Sequence, residues 1–593
     1  MENLYGEKTR NKILSKLFRK AEISWTLSDL SQSIGPMIDL IFTSQFIGIN
    51  GVTVMGYIAP LIMLLGFIGT AIANGSKVKT APVIGAGNLA EANRIFSNAV
   101  LLGGFISIST TLFITIFPDG VCFVLGARDP DIFVMTRQYI FGYIIGLPFL
   151  TLKVILSPYL ELEGQYNRVV TSSFMMTLMD IATDAFVIFV LHGGMFELAL
   201  ATSLGYIVAF LIEASFFFNK KNKSTFRVSG GIDSKICFDI IKLGSPSGIL
   251  KGSNALGGMI INNLLTSLQM PYIVAAYGVF AQITVYFRAA WSSAASNLLN
   301  FSGIFIGEED RTSLKEVQKI ALFHALINSS VVAFLLFVFA EPLAKIFMKS
   351  SDTAALAMAV ECIRVSCFSL LFRTIVDNFG MYLTAIKRIR FCNFYTFLLE
   401  CGVLVPITFL LLNIIGYQGA WFAKVIHMLI MSLIAIFYIY MNKEAEDFRD
   451  KMLLLPKSFG IPPENEISVI AHSEKEIETL SRLAIAFAME HEAGKKRAKT
   501  LGLITEELGI FLAEHGFKDG KPHTINARLV AKNEELIIRM RDDCKSLNLT
   551  EYYKFLNTSE EKENEAGLSI IMKMSREIIY TPTFGANNLI IKI

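Results

Sequence analysis

The chain has 593 residues, of which 53% are hydrophobic and 18% charged, and its mean hydropathy is +0.51. These values exclude an ordinary soluble protein and predict a membrane protein. The formal net charge of +3 indicates no charged partner, so we expect no binding to nucleic acid.

The N-terminal segment, residues 1–22, is basic and amphipathic. It has no apolar stretch followed by a small-residue cleavage site, so it is not a secretory signal peptide. We expect it to be a cytoplasmic N-terminus.

Apolar segments long enough to cross a bilayer core, which takes about 20 residues of helix, follow one another up to residue 441. They predict an all-α polytopic membrane protein with twelve transmembrane helices. The approximate bounds are 23–46, 52–74, 95–117, 133–157, 168–191, 195–218, 240–265, 273–300, 318–341, 360–385, 391–413 and 417–441.

Lysine and arginine are concentrated in alternate loops between these segments, including residues 219–239 between the sixth and seventh. Basic residues accumulate in cytoplasmic loops of membrane proteins. We therefore expect a multi-pass protein of the cytoplasmic membrane with both termini in the cytoplasm.

The membrane half repeats itself at an offset of 222 residues. "GPMIDLIFTS" from Gly35 matches "GGMIINNLLTS" from Gly257, and "GAGNLAEANRIF" from Gly85 matches "GEEDRTSLKEVQ" from Gly307. Six helices per copy is an even number, so both copies cross the membrane in the same direction. The sequence therefore predicts two six-helix repeats, 23–218 and 240–441, that form two lobes around a central cavity, as in transporters.

Several stretches resemble the multidrug and toxic compound extrusion (MATE) family over about residues 20 to 441. They include "IDLIFTSQFIGINGVTVMGYIAPLIMLL", "VIGAGNLAEANRIFSNAVLLG", "YLELEGQYNR", "DIATDAFVIFVLHGGMFELALATSLG" and "KLGSPSGILKGSNALGGMIINNLLTS". The resemblance implies a V-shaped pair of lobes and a secondary active antiporter that exports a small organic solute. It matches Asp39 to the acid of the family's first helix and Asp184 to that of its Asn-x-x-x-Asp-Pro motif. Asp180 and Ala185 replace the Asn and Pro of that motif, which leaves the coupling ion, proton or sodium, open.

Asp180 and Asp184 lie four residues apart in the otherwise apolar "MDIATDAFVIF". They share one helix face, where two carboxylates do not easily ionise together, so a shared proton is one expectation. A monovalent cation held with Asp39 and Thr183 is another, and bonding to neighbouring helices is the structural alternative. Pro36, one turn before Asp39, is expected to kink the first helix, either for function or as passive packing.

The second lobe carries charges near the middle of its spans. They could form an anion-attracting wall of the substrate cavity, which favours an anionic solute, or they could pair with one another between helices. An anion-attracting wall would make a flippase for an anionic lipid-linked or polysaccharide substrate the alternative function. These residues are Lys251, Arg288, Arg373, Asp377 and Glu400.

After residue 441 the composition changes to a charged, proline-containing linker, 442–458, and then to a soluble segment, 459–593. Its pattern of strand, two helices, strands, helix and strands predicts a cytosolic two-layer α/β domain. It resembles the histidine-kinase-like ATPase fold of anti-sigma-factor kinases. The resemblance gives Glu507 as the catalytic glutamate, Asp542 as the adenine contact and Gly567 as part of the lid.

This ATPase pattern is degenerate. Phe511 replaces the magnesium-binding Asn, Cys544 replaces a glycine of the nucleotide turn, and Glu565 replaces a lid glycine. We therefore expect a regulatory domain that meets a cytosolic protein or ligand, with residual ATP binding as the alternative.

The sequence thus predicts a transporter rather than an enzyme, with a lipid bilayer and a small organic solute as partners, and with no cofactor. A membrane-anchored signalling kinase or sensor is the competing class, and the degenerate ATPase pattern counts against it. The cysteines form no CxxC pair or other ligand spacing, so we predict no metal centre. They are Cys122, Cys237, Cys362, Cys367, Cys392, Cys401 and Cys544.

Overall fold

The computed structural model describes residues 2–219, 224–270, 272–347, 353–472, 474–516, 523–544, 548–558 and 566–593. The first half of the membrane region is entirely helical. Its helices are α1 (Glu2–Phe42), α2 (Ile49–Gly85), α3 (Leu89–Ile116), α4 (Pro118–Leu125), α5 (Pro130–Leu162), α6 (Tyr166–Phe186) and α7 (Met195–Phe218).

The second half is helical as well. Its helices are α8 (Ser234–Ser267), α9 (Ile273–Phe287), α10 (Ala289–Gly307), α11 (Arg311–Val338), α12 (Ala340–Phe347), α13 (Thr353–Ser366), α14 (Ser369–Ala385), α15 (Ile389–Phe397), α16 (Leu404–Ile415) and α17 (Gly419–Tyr440).

Element boundaries recur between the two halves. Both ends of α3 and α11, and both ends of the short α4 and α12, differ by 222 residues, the offset found in the sequence. One difference from the sequence analysis is that 273–300 and 360–385 are not straight helices. The first is bent by 51° between α9 and α10, and the second by 49° between α13 and α14.

Within the described residues, seven helical segments are long and apolar enough to cross a membrane, or nine if each bent pair is one span. α1 and α8 are not among them, because polar residues such as Ser28, Asp29 and Gln32 interrupt the apolar run of α1, and Lys251 and Asn254 that of α8. The protein therefore has the mostly helical fold of a polytopic membrane protein, while the number of twelve spans stays a prediction.

The two lobes touch at one end of the bundle through glycines. A Cβ on Gly85 would lie 2.1 Å from the carbonyl oxygen of Ile304, and a Cβ on Gly307 would lie 1.9 Å from that of Pro82. Both residues of the second contact are 222 positions from those of the first, so this contact is pseudo-symmetric. α2 and α10 therefore meet backbone to backbone.

The lobes diverge away from this end. Along α8, a Cβ on Gly244 would lie 2.1 Å from the carbonyl oxygen of Ala71, and one on Gly248 would lie 2.6 Å from the ring of Phe67. At Gly252, one turn further on the same face, a Cβ would meet nothing within 4 Å. The lobes are thus in contact at the end of the bundle where Gly85 lies, and they are apart beyond Gly248.

The C-terminal region begins with α18 (Phe448–Met452) and ends in one five-stranded antiparallel sheet of order β1-β2-β3-β5-β4. The strands are β1 (Glu466–Ala471), β2 (Ile525–Lys532), β3 (Glu535–Asp542), β4 (Glu577–Thr583) and β5 (Ala586–Lys592). The helices are α19 (Glu474–Glu490), α20 (Gly494–Gly516), α21 (Leu549–Thr558) and α22 (Ala566–Met574).

The helices α19, α20 and α22 share a hydrophobic core with one face of the sheet, in which Leu480 and Ile504 pack with Leu529 and Ile538. The sequence analysis did not predict α21, whose adjacent tyrosines have strand rather than helix propensity. The opposite face of the sheet lies against the end of the bundle at Gly85. We call this end of the membrane region the sheet end.

Candidate functional site

The three predicted coupling acids come together inside the first lobe. Asp39 on α1 and Asp180 and Asp184 on α6 are buried, with exposed fractions of 9%, 6% and 1%. One carboxylate oxygen from each lies within 4.8 Å of one from each of the others. The sequence placed Asp180 and Asp184 on one helix face, and the packing of α1 on α6 brings Asp39 to them.

Glycines permit this close packing. A Cβ on Gly35 would lie 2.8 Å from Asp180 Oδ2, and one on Gly205 of α7 would lie 2.8 Å from the carbonyl oxygen of Met176. The second-lobe counterpart of Gly35 is Gly257, whose Cβ would lie 2.2 Å from the carbonyl oxygen of Glu400. In each lobe, a glycine on the first predicted span, α1 or α8, therefore lies against the part of the fifth predicted span that carries an acid, Asp180 or Glu400.

Several oxygens of these acids lack a hydrogen-bond donor in the described part of the chain. They are Asp39 Oδ1, Asp180 Oδ1 and both oxygens of Asp184. Three buried carboxylates with so few donors repel one another unless a proton or a cation lies between them. Thr183, the predicted additional ligand, donates instead to the carbonyl oxygen of Met179 at 2.5 Å.

Both helices of the acid cluster continue into a wider π-helical turn. Thr43–Ile47 follows α1, and Val187–Leu191 follows α6. π-helical turns interrupt the regular hydrogen-bonding pattern and are frequent at functional sites. Pro36 lies within α1 one turn before Asp39, as the sequence predicted, and its role as a functional kink stays a prediction.

The charges of the second lobe mostly pair. Arg373 Nε donates to Asp377 Oδ2 at 3.3 Å, and its terminal nitrogen lies 3.6 Å from Glu400 Oε1. Asn254 also donates to Glu400, at 2.7 Å. This geometry favours the ion-pairing alternative for Arg373, Asp377 and Glu400.

Arg288 pairs with the other lobe. It lies at the bend between α9 and α10, and its terminal nitrogen is 2.9 Å from Asp29 Oδ1 on α1. Lys251 is exposed, and no described acid forms an ion pair with it. Of the three predicted basic residues of the wall, Lys251 is thus the one without an acidic partner among the described residues.

Sequence reasoning missed a buried ion pair in the first lobe. Lys153 on α5 and Glu213 on α7 are 3.8 Å apart, and each is almost fully buried. Ser172 and Ser157 donate to Glu213 at 2.5 Å and 2.9 Å, and Lys153 donates to Ser173 at 3.1 Å. The apolar segments 133–157 and 195–218 each carry one charge near their start, Arg137 and Glu197, and one charge deeper in the segment. The deeper charge, Lys153 or Glu213, was the signal that could have identified the pair.

A second missed group is Lys424 on α17. Its Nζ lies 3.6 Å from the ring centre of Tyr277 and 4.6 Å from that of Phe280. No described acid forms an ion pair with it. Aromatic faces attract cations at sites that exclude water. The Lys424 ammonium is therefore stabilised by cation–π contacts rather than by a carboxylate.

The residues predicted to bind a nucleotide lie in the sheet domain, where other protein groups contact them. Asp542 is only 2% exposed, and its Oδ1 accepts hydrogen bonds from Asn587 Nδ2 at 2.7 Å and from the N–H of Cys544 at 3.0 Å. Burial raises the pKa of Asp542, although these donors oppose the shift. A Cβ on Gly567 would lie 1.9 Å from Glu507 Oε2, so the predicted lid residue contacts the predicted catalytic acid.

The position of the expected magnesium ligand is apolar. Phe511 is buried and stacks on His515 with a ring-centre distance of 4.5 Å. Glu565 lies outside the described residues. The described part of the site therefore offers neither a magnesium ligand at 511 nor an exposed carboxylate at 542.

The spacing of the cysteines did not predict one cluster of side chains of the types that bind metal ions. His523, Asp543 and Cys544 each place a ligand atom within 4.8 Å of the other two. Asp543 also accepts a hydrogen bond from Lys16 at 2.7 Å. Burial raises the pKa of Asp543, but the hydrogen bonds from Lys16 and Thr524 outweigh it, and the net pKa is lowered.

Comparison with known proteins identifies the membrane region. A sequence model of the MatE family matches residues 25–186 and 251–410, which is more than half of the chain. The chain belongs to the MatE family. It is therefore a membrane transporter and not an enzyme.

Two curated relatives of this MatE protein are informative. Multidrug export protein MepA of Staphylococcus saprophyticus is 22% identical over 422 residues, covering 69% of this chain and 92% of the relative. The FAD transporter of Shewanella oneidensis is 21% identical over 319 residues, covering 52% of this chain and 69% of the relative.

The fold of the MatE region is also seen in solved structures. A MOP superfamily transporter from Pyrococcus furiosus aligns with a TM-score of 0.67 at 18% identity, covering 72% of this chain and 95% of that one. None of these findings supports the resemblance of the sheet domain to histidine-kinase-like ATPases, which stays a prediction.

Proposed function

We propose that this MatE protein is a secondary active antiporter of the cytoplasmic membrane that exports a small organic solute. The buried cluster of Asp39, Asp180 and Asp184 carries the proposal, because it needs a proton or cation and lies in only one of two otherwise repeated lobes. Binding and release of that ion would change the repulsion between α1 and α6 and so bias which end of the bundle is open. The relative named as a multidrug export protein supports an organic solute.

The proposed topology has twelve spans with both termini in the cytoplasm. Ile389–Tyr440 supports this number, because its 52 residues exceed one crossing and turn at Gly416, after which α17 packs against α16. α1 and α8 complete the count, since polar residues of both contact other helical segments, as Ser28 does with Ser173 and Asn254 with Glu400. The basic loops support a cytoplasmic position for the sheet end.

Flux in proteoliposomes tests the proposal. A fluorescent organic cation would be loaded, and proton and sodium gradients would be imposed one at a time. Export driven by one gradient and not by the other identifies the coupling ion. Dye movement that follows neither gradient would refute an antiporter.

A second candidate is a transporter of an anionic solute, including a lipid-linked one. Lys251 and Lys424 favour it, because both are cationic and no described acid forms an ion pair with either. The similarity to a protein named as an FAD transporter, and to one described as having a binding pocket of reversed polarity, also supports it.

The charge of the solute can be tested at Lys251. Lys251→Gln should weaken the binding of anionic solutes by roughly tenfold, as expected for about 1.4 kcal/mol of lost attraction, and leave that of cationic ones unchanged. The measurement is displacement of a labelled solute from the purified protein. Lys345→Gln is the matched control, since Lys345 pairs with Glu341 on the surface helix α12. Equal losses for anions and cations would exclude the anion-attracting wall.

We also propose that the sheet domain regulates transport and does not hydrolyse ATP. The full-length protein should show no magnesium-dependent ATP turnover above that of its Glu507→Ala variant, because Phe511 supplies no ligand for magnesium. Phosphate release in detergent measures this. Turnover in the wild type that is lost in Glu507→Ala would instead revive the signalling-kinase alternative.

A further inference from the structure

The face of the sheet that its own helices leave uncovered carries three arginines. Successive residues of a strand point to opposite faces, so Leu529 and Ile538 enter the core while Arg528, Arg539 and Arg541 project from the other face. Arg528 and Arg539 are direct partners across β2 and β3. Like charges opposite each other destabilise a sheet, so this face needs acidic partners. Within the domain, Glu466 of β1 accepts a hydrogen bond from Arg528 Nε at 2.8 Å. Arg539 and Arg541 instead have an acidic partner in the membrane region, Glu308.

The second lobe supplies acidic partners from the loop between α10 and α11. Arg541 donates to Glu308 Oε1 at 2.7 Å, and Lys532 donates to Glu309 at 2.6 Å. Arg528 donates to the backbone carbonyl oxygens of Glu308 and Glu309 at 3.1 Å and 3.3 Å. The arginine face of the sheet therefore fits the "GEED" segment of the second lobe.

The linker fastens the sheet domain to the same lobe. Asp450 accepts hydrogen bonds from Arg311 at 3.2 Å and pairs with Lys315 at 2.5 Å, and both lie on α11. The hydroxyl of Tyr382 on α14 donates to the carbonyl oxygen of Leu453 at 2.7 Å. The domain is thus anchored on the second lobe by both its linker and its sheet.

The sheet also reaches the first lobe. Arg539, two residues from Arg541 on the same strand, donates to the carbonyl oxygen of Gly85 at 2.9 Å. At the turn between β4 and β5, the N–H of Phe584 donates to the carbonyl oxygen of Leu162 at 3.2 Å. The ring of Phe584 stacks on Phe301 of the second lobe with a ring-centre distance of 3.9 Å.

We propose that the sheet domain is a latch, anchored on the second lobe, that holds the first lobe against it and keeps the sheet end closed. The proposal rests on the alternating-access function proposed above, in which the lobes rock against each other. Separating the lobes at the sheet end would move Gly85 and Leu162 away from residues fixed to the second lobe. The contacts of Arg539 and Phe584 must therefore break before this end opens, and while they persist they favour the state that is open at the opposite end.

Distances between spin labels test the latch in the full-length protein in nanodiscs. Labels on Ala90→Cys and Arg390→Cys lie on exposed positions of the first and second lobes at the sheet end. The native cysteines are all buried, which limits labelling to the introduced sites. The latch variant is Arg539→Gln with Phe584→Ala. The first change removes the side-chain donor to Gly85, and the second removes the ring whose stacking on Phe301 holds the N–H of Phe584 against Leu162. We expect one short distance in the parent protein and a second, longer population in the latch variant.

Arg576→Gln is the matched control, because it removes an exposed ion pair with Glu535 that touches neither lobe. It should leave the distance distribution unchanged. A further pair, Ala90→Cys with Lys573→Cys, reports whether the domain has left the first lobe. A released domain with an unchanged distance between the lobes would overturn the latch.

A latch variant whose domain stays in place would overturn the assignment as well, because Arg539 and Phe584 would then not be what holds it. These distances depend on neither solute nor coupling ion. If the distances change in the latch variant as expected but the parent protein transports nothing, the proposed function alone is refuted. If the parent protein transports normally but the distances are the same in the latch variant, the latch alone is refuted.

Discussion

Asp184→Asn should abolish gradient-driven transport while the protein stays folded. The amide has the shape of the carboxylate, but it cannot bind and release a proton or hold a cation by charge. Asp184 is the most buried of the three acids, and both of its oxygens lack a described donor. Flux in proteoliposomes should fall to that of empty vesicles, and the size-exclusion profile should match that of the wild type.

Asp180→Asn is the matched control on the same helix face. It restores the residue usual in the family, so we expect a milder loss of flux. Glu361→Gln is a second control, because Glu361 accepts hydrogen bonds from Tyr417 and Gln418 far from the cluster along the chain. Wild-type flux in Asp184→Asn would contradict the assignment, and a greater loss in Asp180→Asn would exchange the two roles.

The acid cluster shows what a sequence can predict about a membrane transporter. Asp180 and Asp184 were identifiable because carboxylates are costly in an apolar segment, and helical geometry alone puts them on one face. The repeat was identifiable because its offset is constant, and the helix boundaries recur at that offset. These features depend only on local sequence or on comparison of the chain with itself.

Pairings between distant segments were not predictable in the same way. Arg288 is 259 residues from its partner Asp29. Helical spacing indicated that Arg373 could pair with Asp377, but the sequence assigned another base to Glu400, whereas Arg373 lies near both acids. The partner depends on how α1 packs on α10 and how far α9 bends, which no local pattern encodes. The same holds for Arg528 and Arg539, whose alternation in strands predicts a shared face but not that a loop of the second lobe covers it.

Gly75 lies where the backbones of α2 and α8 approach each other closely. A Cβ on Gly75 of α2 would lie 1.9 Å from the carbonyl oxygen of Ile240 and 2.9 Å from the amide nitrogen of Gly244, both backbone atoms of α8. Ordinary contacts of a Cβ begin near 3.4 Å, so Gly75→Ala requires the two helices to separate by more than an ångström. The sheet end could then no longer close.

Gly75→Ala should therefore abolish transport and shift the spin-label distances at the sheet end toward longer values. Gly66→Ala is the matched control on the same helix, since a Cβ there meets nothing within 4 Å. It should leave flux unchanged and stabilise α2 by about 0.5–1 kcal/mol, because alanine favours the helix over glycine. Normal flux in Gly75→Ala would show that closure of α2 on α8 is not required for transport, whereas loss of flux in both variants would indicate a general sensitivity of α2 to substitution.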